Sequence, residues 1–132
     1  MTTTTSDAAL LRSGYDAFAA GDVPAVLALF SEDITWHIAG RSPVSGDYTG
    51  HDEVLSFFGA LGERSNGTFA LDVQHILDSG DGTVVALVTE SAERNGKELR
   101  VPAVHVWRMQ DAKATSFQAF QHDDYVIDTF WS

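Results

Sequence analysis

The stretch Thr68-Phe-Ala-Leu-Asp-Val-Gln-His-Ile-Leu77 decides the fold, because here the hydrophobic period changes from helical to two. Phe69, Leu71, Val73, His75 and Leu77 fall on one face of an extended chain, with Thr68, Asp72 and Gln74 on the other. The period of two persists downstream. Asp78-Ser-Gly-Asp-Gly82 turns the chain into a strand from Thr83 to Glu93, and Asn95-Gly96 is a strong hairpin signal before a strand from Glu98 to Met109. A turn at Gln110 to Ala112 leads to a last strand, Ala114 to His122. Upstream the spacing is helical. Asp7 favours a helix start, Leu11, Tyr15 and Phe18 form its apolar stripe, and Gly21 ends it. Asp22 caps a short second helix with Pro24 in its first turn and a stripe of Val23, Val26, Leu27 and Phe30. Ile34, Trp36 and Ile38 alternate with Thr35 and His37 in a first strand, and a turn-rich loop from Gly40 to Gly50 is placed to rim a cavity. Val54, Phe57, Phe58 and Leu61 make a third helix that ends near Gly62 to Gly67. Helices first and consecutive strands afterwards predict an α+β fold, three N-terminal helices on a curved, mixed, mostly antiparallel sheet.

The 132 residues suit a single domain with one core, flanked by a frayed tail over 1–6 and a polar C-terminal tail over 123–132. With 44% hydrophobic and 20% charged residues and no long apolar run, no membrane contact is expected. Zero cysteines exclude disulfides, thiolate metal sites and cysteine nucleophiles, and the Thr-rich start lacks the regions of a signal peptide. A cytoplasmic location is the expectation. Nineteen acids against eight scattered bases give a net charge of −11, which excludes nucleic acid as a partner. No His-x-x-x-His spacing, Gly-rich phosphate loop or nucleophile elbow occurs, so neither metal nor cofactor is expected.

Four segments, Tyr15-Asp-Ala-Phe-Ala-Ala-Gly-Asp22, Leu29-Phe-Ser-Glu-Asp-Ile-Thr-Trp-His37, Gly46-Asp-Tyr-Thr-Gly50 through Phe58, and Asp123-Asp-Tyr-Val-Ile-Asp-Thr-Phe-Trp131, follow one another over nearly the whole chain. In order and spacing they resemble the nuclear transport factor two-like superfamily, especially its SnoaL-like branch. The resemblance implies a cone-shaped α+β barrel, a pocket between helices and sheet, and a homodimer packed through the sheet's outer face. It does not fix the activity, because this fold hosts isomerases, polyketide cyclases, epoxide hydrolases, dehydratases and noncatalytic binding proteins. The resemblance to ketosteroid isomerase puts Ile38 at the position of the base and Val104 at that of the oxyanion acid, and it leaves Tyr15 one residue from the tyrosine position. Steroid isomerisation by that mechanism is therefore rejected. Likeness to the limonene epoxide hydrolases puts Ala119 where their water-activating aspartate stands, which weakens a hydrolase reading.

The remaining candidates follow from placement. Glu90 continues the face of Val84, Ala86 and Val88, and a carboxyl on an apolar face suits proton transfer near neutral pH. Asp123, at the end of the last strand, is either a cyclase-like acid or a cap that turns the chain. Tyr15 lies on an apolar helix stripe, its ring inward and its hydroxyl seeking a partner or ligand. His37 alternates out of phase with Trp36 and Ile38, yet Trp36-His-Ile-Ala-Gly40 with Pro43 and Gly46 resembles a motif of one SnoaL-like subgroup. Two registers compete for His105. One sets it inward with Leu99, Val101, Ala103, Trp107 and Met109 as an acid or base, and the other sets Val104 and Val106 inward and His105 at an interface. His75 reads as a hydrogen-bonded core histidine, and His51 as part of the third helix's start. Trp36, Ile38, Phe57, Val104, Phe117 and Gln121 are expected to line the site. The function expected is binding of a small, largely apolar molecule with cofactor-free acid–base isomerisation, cyclisation or dehydration; the alternative is a noncatalytic binding or dimeric interaction domain of the same fold.

Overall fold

A computed structural model describes residues 5–132. Of the expected N-terminal tail, residues 1–4 lie outside the described residues, while the Ser6 side chain caps helix α1, Asp7–Ala19, by accepting from the Ala9 amide. Asp22 caps α2, Val23–Leu29, through the Ala25 amide. Strand β1, Phe30–Ile38, follows directly and buries Ile34, Trp36 and Ile38 while exposing Thr35 and His37. Within the turn-rich loop a short edge strand, β2, Gly46–Thr49, pairs antiparallel with β1; four residues carried too little pattern to be read as a strand. Helix α3, Gly50–Arg64, turns Val54, Phe57 and Leu61 inward.

The second half is the meander expected from the period of two: β3, Ala70–Asp78; β4, Thr83–Arg94; β5, Lys97–Gln110; β6, Lys113–Gln121. Asn95 and Gly96 both have positive φ, as the tight turn between β4 and β5 requires. The six strands form one sheet that is not closed, in the order β2-β1-β6-β5-β4-β3, with β1 and β6 parallel and every other pair antiparallel. This is the α+β fold expected, with the helices packed on one face of the sheet.

Three local features depart from simple alternation. A register shift between Val73 and His75 reverses the phase of β3, so Ile76 packs inward, while His75 is exposed and Leu77 is 55% exposed. The reading of His75 as a core histidine is corrected by that bulge. A second shift, between Arg108 and Met109, lets Ala114 and Phe117 both face inward despite their odd spacing. The tail over 123–132 is a helix, α4, Asp124–Trp131, which buries Ile127, Phe130 and Trp131. Its carbonyl end is held by Arg64, whose Nη1 donates to the Trp131 carbonyl at 2.9 Å, and by Arg94, whose Nη2 donates to that of Ser132 at 3.4 Å. Asp128 ties the same helix to the rim loop by accepting the Arg41 amide at 3.0 Å. No helix among the described residues is long and apolar enough to cross a membrane.

Candidate active site

Between the helices and the sheet lies a cavity of about 80 Å³. Leu11 and Phe18 of α1, Phe57 and Phe58 of α3, Ile127 and Trp131 of α4 and Val44 of the rim loop close it against the sheet. The wall is strongly aromatic: Trp36 stacks on Phe117 with ring centres 3.9 Å apart, and Trp107 meets Phe117 at 4.6 Å. Glu90, His105, Tyr15, Trp107 and Gln121 join this otherwise apolar lining.

These five residues form one hydrogen-bonded chain. Trp107 Nε1 donates to the Tyr15 hydroxyl at 3.0 Å, and that hydroxyl lies 2.6 Å from His105 Nδ1. His105 Nε2 lies 3.2 Å from Glu90 Oε2, and Gln121 Nε2 donates to Glu90 Oε1 at 3.4 Å. An indole only donates, so the phenol accepts from Trp107 and has its own proton free for Nδ1; in that arrangement a neutral imidazole carries its proton on Nε2, facing the carboxyl of Glu90.

The register explains how the acid and the imidazole meet. Glu90 pairs with Val101 and His105 with Ala86, so the Val88–Ala103 pair stands between them. The short side chain of Ala103 leaves room for the two longer ones to lean together above it. Glu90 is 7% and His105 3% exposed, so neither can find a partner in bulk water and each depends on the other. Burial holds the Tyr15 hydroxyl's pKa well above its ordinary value; the Trp107 N–H opposes this, and the Glu90 charge adds to the rise. The phenol therefore keeps its proton at neutral pH and acts as a donor.

The other candidates are distributed as follows. Trp36, Ile38, Phe57, Phe117 and Gln121 line the cavity, as does Ala119. Val104 does not: His105 takes the inward register, and pleating turns Val104 to the outer face opposite Leu87 and Phe120. His37 also points outward, where it pairs with Asp47 at 2.5 Å in a polar groove with Thr35, Ser116 and Gln118. Asp123 lies outside the cavity lining and caps α4, its Oδ1 accepting from the amides of Tyr125 and Val126. His51 sits in the first turn of α3 and bonds the Phe30 carbonyl through Nε2 at 3.0 Å. Trp107 was not foreseen as a site residue; its position two residues from His105 on one strand was the available signal. Among the described residues no group of three or more His, Asp or Glu side chains is arranged to hold a metal ion.

Residues 11–117 match the SnoaL-like domain family. A solved protein from a soil-derived mobile gene cassette, Bal32a, is 35% identical, covers 96% of each chain and superposes with a TM-score of 0.92. A protein of unknown function with a cystatin-like fold from Xanthomonas campestris is 29% identical over 97% of this chain and 99% of its own, with a TM-score of 0.91. An uncharacterized protein of Mycobacterium tuberculosis is 26% identical over 127 residues, 96% of this chain and 97% of its own.

Proposed function

The chain belongs to the SnoaL-like domain family of the nuclear transport factor two-like superfamily, and from that premise we propose that it takes a small, largely apolar, polyketide-like molecule into the cavity and moves a proton on it without a cofactor. The observation that carries this reading is the chain Trp107–Tyr15–His105–Glu90, set in a wall that is otherwise apolar. Tyr15, a neutral phenol, donates to a carbonyl oxygen of the ligand. That releases His105 Nδ1 to take a proton from the carbon beside the carbonyl, and the electron pair left behind moves to the oxygen that Tyr15 holds. The imidazolium so formed donates through both nitrogens, to Glu90 and to the Tyr15 oxygen, so its charge is balanced where it arises. Returning the proton at another carbon is isomerisation; expelling a β-hydroxyl as water is dehydration; attack of the enolate on a second carbonyl is cyclisation.

Native mass spectrometry of the purified protein identifies the bound molecule, and turnover is then followed for wild type, Tyr15→Phe and His105→Gln. Loss of a proton-transfer group lowers turnover about 10²- to 10⁴-fold with little change in ligand occupancy. Unchanged turnover in both variants would sink the acid–base reading. A noncatalytic binding protein is the second reading, favoured by the aliphatic lining at Ile38 and Ala119; it requires occupancy without turnover in wild type. A homodimer through the outer sheet face belongs to the same proposal. Its support is the half-buried Leu87, Val104 and Val106 and the 48% exposed Phe120 on that face. Light scattering at micromolar concentration tests it, with a monomeric mass as the refuting result. Cytoplasmic residence, supported by the absence of cysteine, is tested by fractionation.

A further inference from the structure

Two buried polar atoms of the cavity residues have no hydrogen-bond partner: the indole Nε1 of Trp36 and the amide Oε1 of Gln121. Trp36 is 5% exposed, and neither of these atoms reaches bulk water. Each is costly to leave unmade, since a buried donor or acceptor without a partner forfeits its full desolvation penalty. The two atoms differ in kind. An indole N–H can only donate, and with the Gln121 Nε2 committed to Glu90, its Oε1 can only accept.

They are also separated. Trp36 pairs with Phe117 across β1 and β6, and Gln121 lies four residues further along β6. At about 3.3 Å per residue, the two side chains leave the sheet roughly 13 Å apart. Between them, on the neighbouring strand, His105 pairs with Ala119, so the proton-transfer chain lies near the midpoint. Ala119, the smallest side chain on that stretch of the wall, lines the cavity beside them.

We propose that Trp36 and Gln121 are specificity-determining contacts for a flat, fused-ring ligand oxygenated at both ends, with an acceptor oxygen meeting Trp36 Nε1 and a hydroxyl meeting Gln121 Oε1. The inference rests on the cavity being the ligand site, and it adds what the ligand carries besides the oxygen held by Tyr15. The aromatic wall supplies affinity for any flat apolar ring, and the two end contacts select among such rings.

The test is a matched set of four probes titrated calorimetrically into the wild-type protein: tetralin, 1-tetralone, 6-hydroxytetralin and 6-hydroxy-1-tetralone. Each end contact adds about three- to tenfold in affinity, so 6-hydroxy-1-tetralone binds at least about tenfold more tightly than tetralin. Trp36→Phe removes the gain from the carbonyl and keeps that from the hydroxyl; Gln121→Met does the reverse. If all four probes bind wild type within about twofold of one another, the inference is overturned while the cavity remains a ligand site. If none binds, the ligand-site reading fails and the inference falls with it. The wild-type series needs no variant to fold, so the outcome does not depend on the stability of either substitution.

Discussion

Tyr15→Phe removes one oxygen atom from the centre of the buried chain, and its effect on stability has a sign that depends on whether the chain exists. The hydroxyl accepts from Trp107 Nε1 at 3.0 Å and lies 2.6 Å from His105 Nδ1. Trp107 is 5% exposed and His105 3% exposed, so in the variant an indole N–H and an imidazole nitrogen both lose their partner where water cannot replace it. Leaving a buried donor unpaired costs about 1–3 kcal/mol, and the second orphan adds to this. The phenyl ring keeps its packing against Trp107, whose ring centre is 6.0 Å away, so no cavity term is expected. The net expectation is a loss of about 1–3 kcal/mol with an unchanged urea m-value, read from denaturation followed by circular dichroism. A cycle with His105→Phe isolates the shared contact. The two single changes together exceed the double by about 0.5–3 kcal/mol if the residues are coupled. Were the hydroxyl unpaired in an apolar wall, removing it would be neutral or stabilising. A variant as stable as wild type, or strictly additive costs in the cycle, would refute the hydrogen-bonded chain.

Because burial raises the pKa of Tyr15 above the roughly 10 of an unfolded tyrosine, its contribution to stability is complete below about pH 10 and is lost as pH rises toward the native value. Over that window Tyr15 contributes at most about 1.4 kcal/mol per pH unit to the slope, measurable by urea unfolding at a series of alkaline pH values and reduced in Tyr15→Phe. Tyr48, whose hydroxyl donates to the Val44 carbonyl, shifts in the same direction through burial and adds to the slope. Gly40 has φ +99°, and an added Cβ would press on the Asp128 carboxylate that holds the Arg41 amide. Gly40→Ala is expected to cost about 1–3 kcal/mol and to speed hydrogen exchange in α4 before the central strands; protection equal to wild type would contradict the proposed anchor. Asp123→Ala should lose about 1 kcal/mol of cap energy, and Asp123→Asn should keep most of it. An Asp123→Asn protein that is fully stable yet inactive would restore Asp123 as a chemical group.

The helices were legible because their cues are local: Asp22 accepts its cap bond where the sequence put it, and Asn95-Gly96 makes the turn its φ values demand. The C-terminal helix was missed for the opposite reason. Its eight residues begin after an aspartate that also reads as a turn, and its burial depends on Arg64, Arg94 and the rim loop, all distant in sequence. The bulge after Val73 was equally hidden, since it follows from pairing with β4 rather than from the composition of β3.

The site divides along the same line. Sequence alone gave the periodicity that puts Glu90 with Val84, Ala86 and Val88, and it gave Tyr15 on the inward stripe of the first helix. Each of these is a statement about one element's own faces, and short-range sterics decide it. Sequence could not choose between the two registers of β5, because Val104 and Val106 on one face and His105 and Trp107 on the other are both compatible with burial. Only the tertiary structure made that choice, by seating Ala103 opposite Val88, so that His105 and Glu90 close over it and Tyr15 arrives from a helix ninety residues away in the chain. A hydrogen bond between distant elements has no sequence period; it exists only once packing has fixed both of its ends.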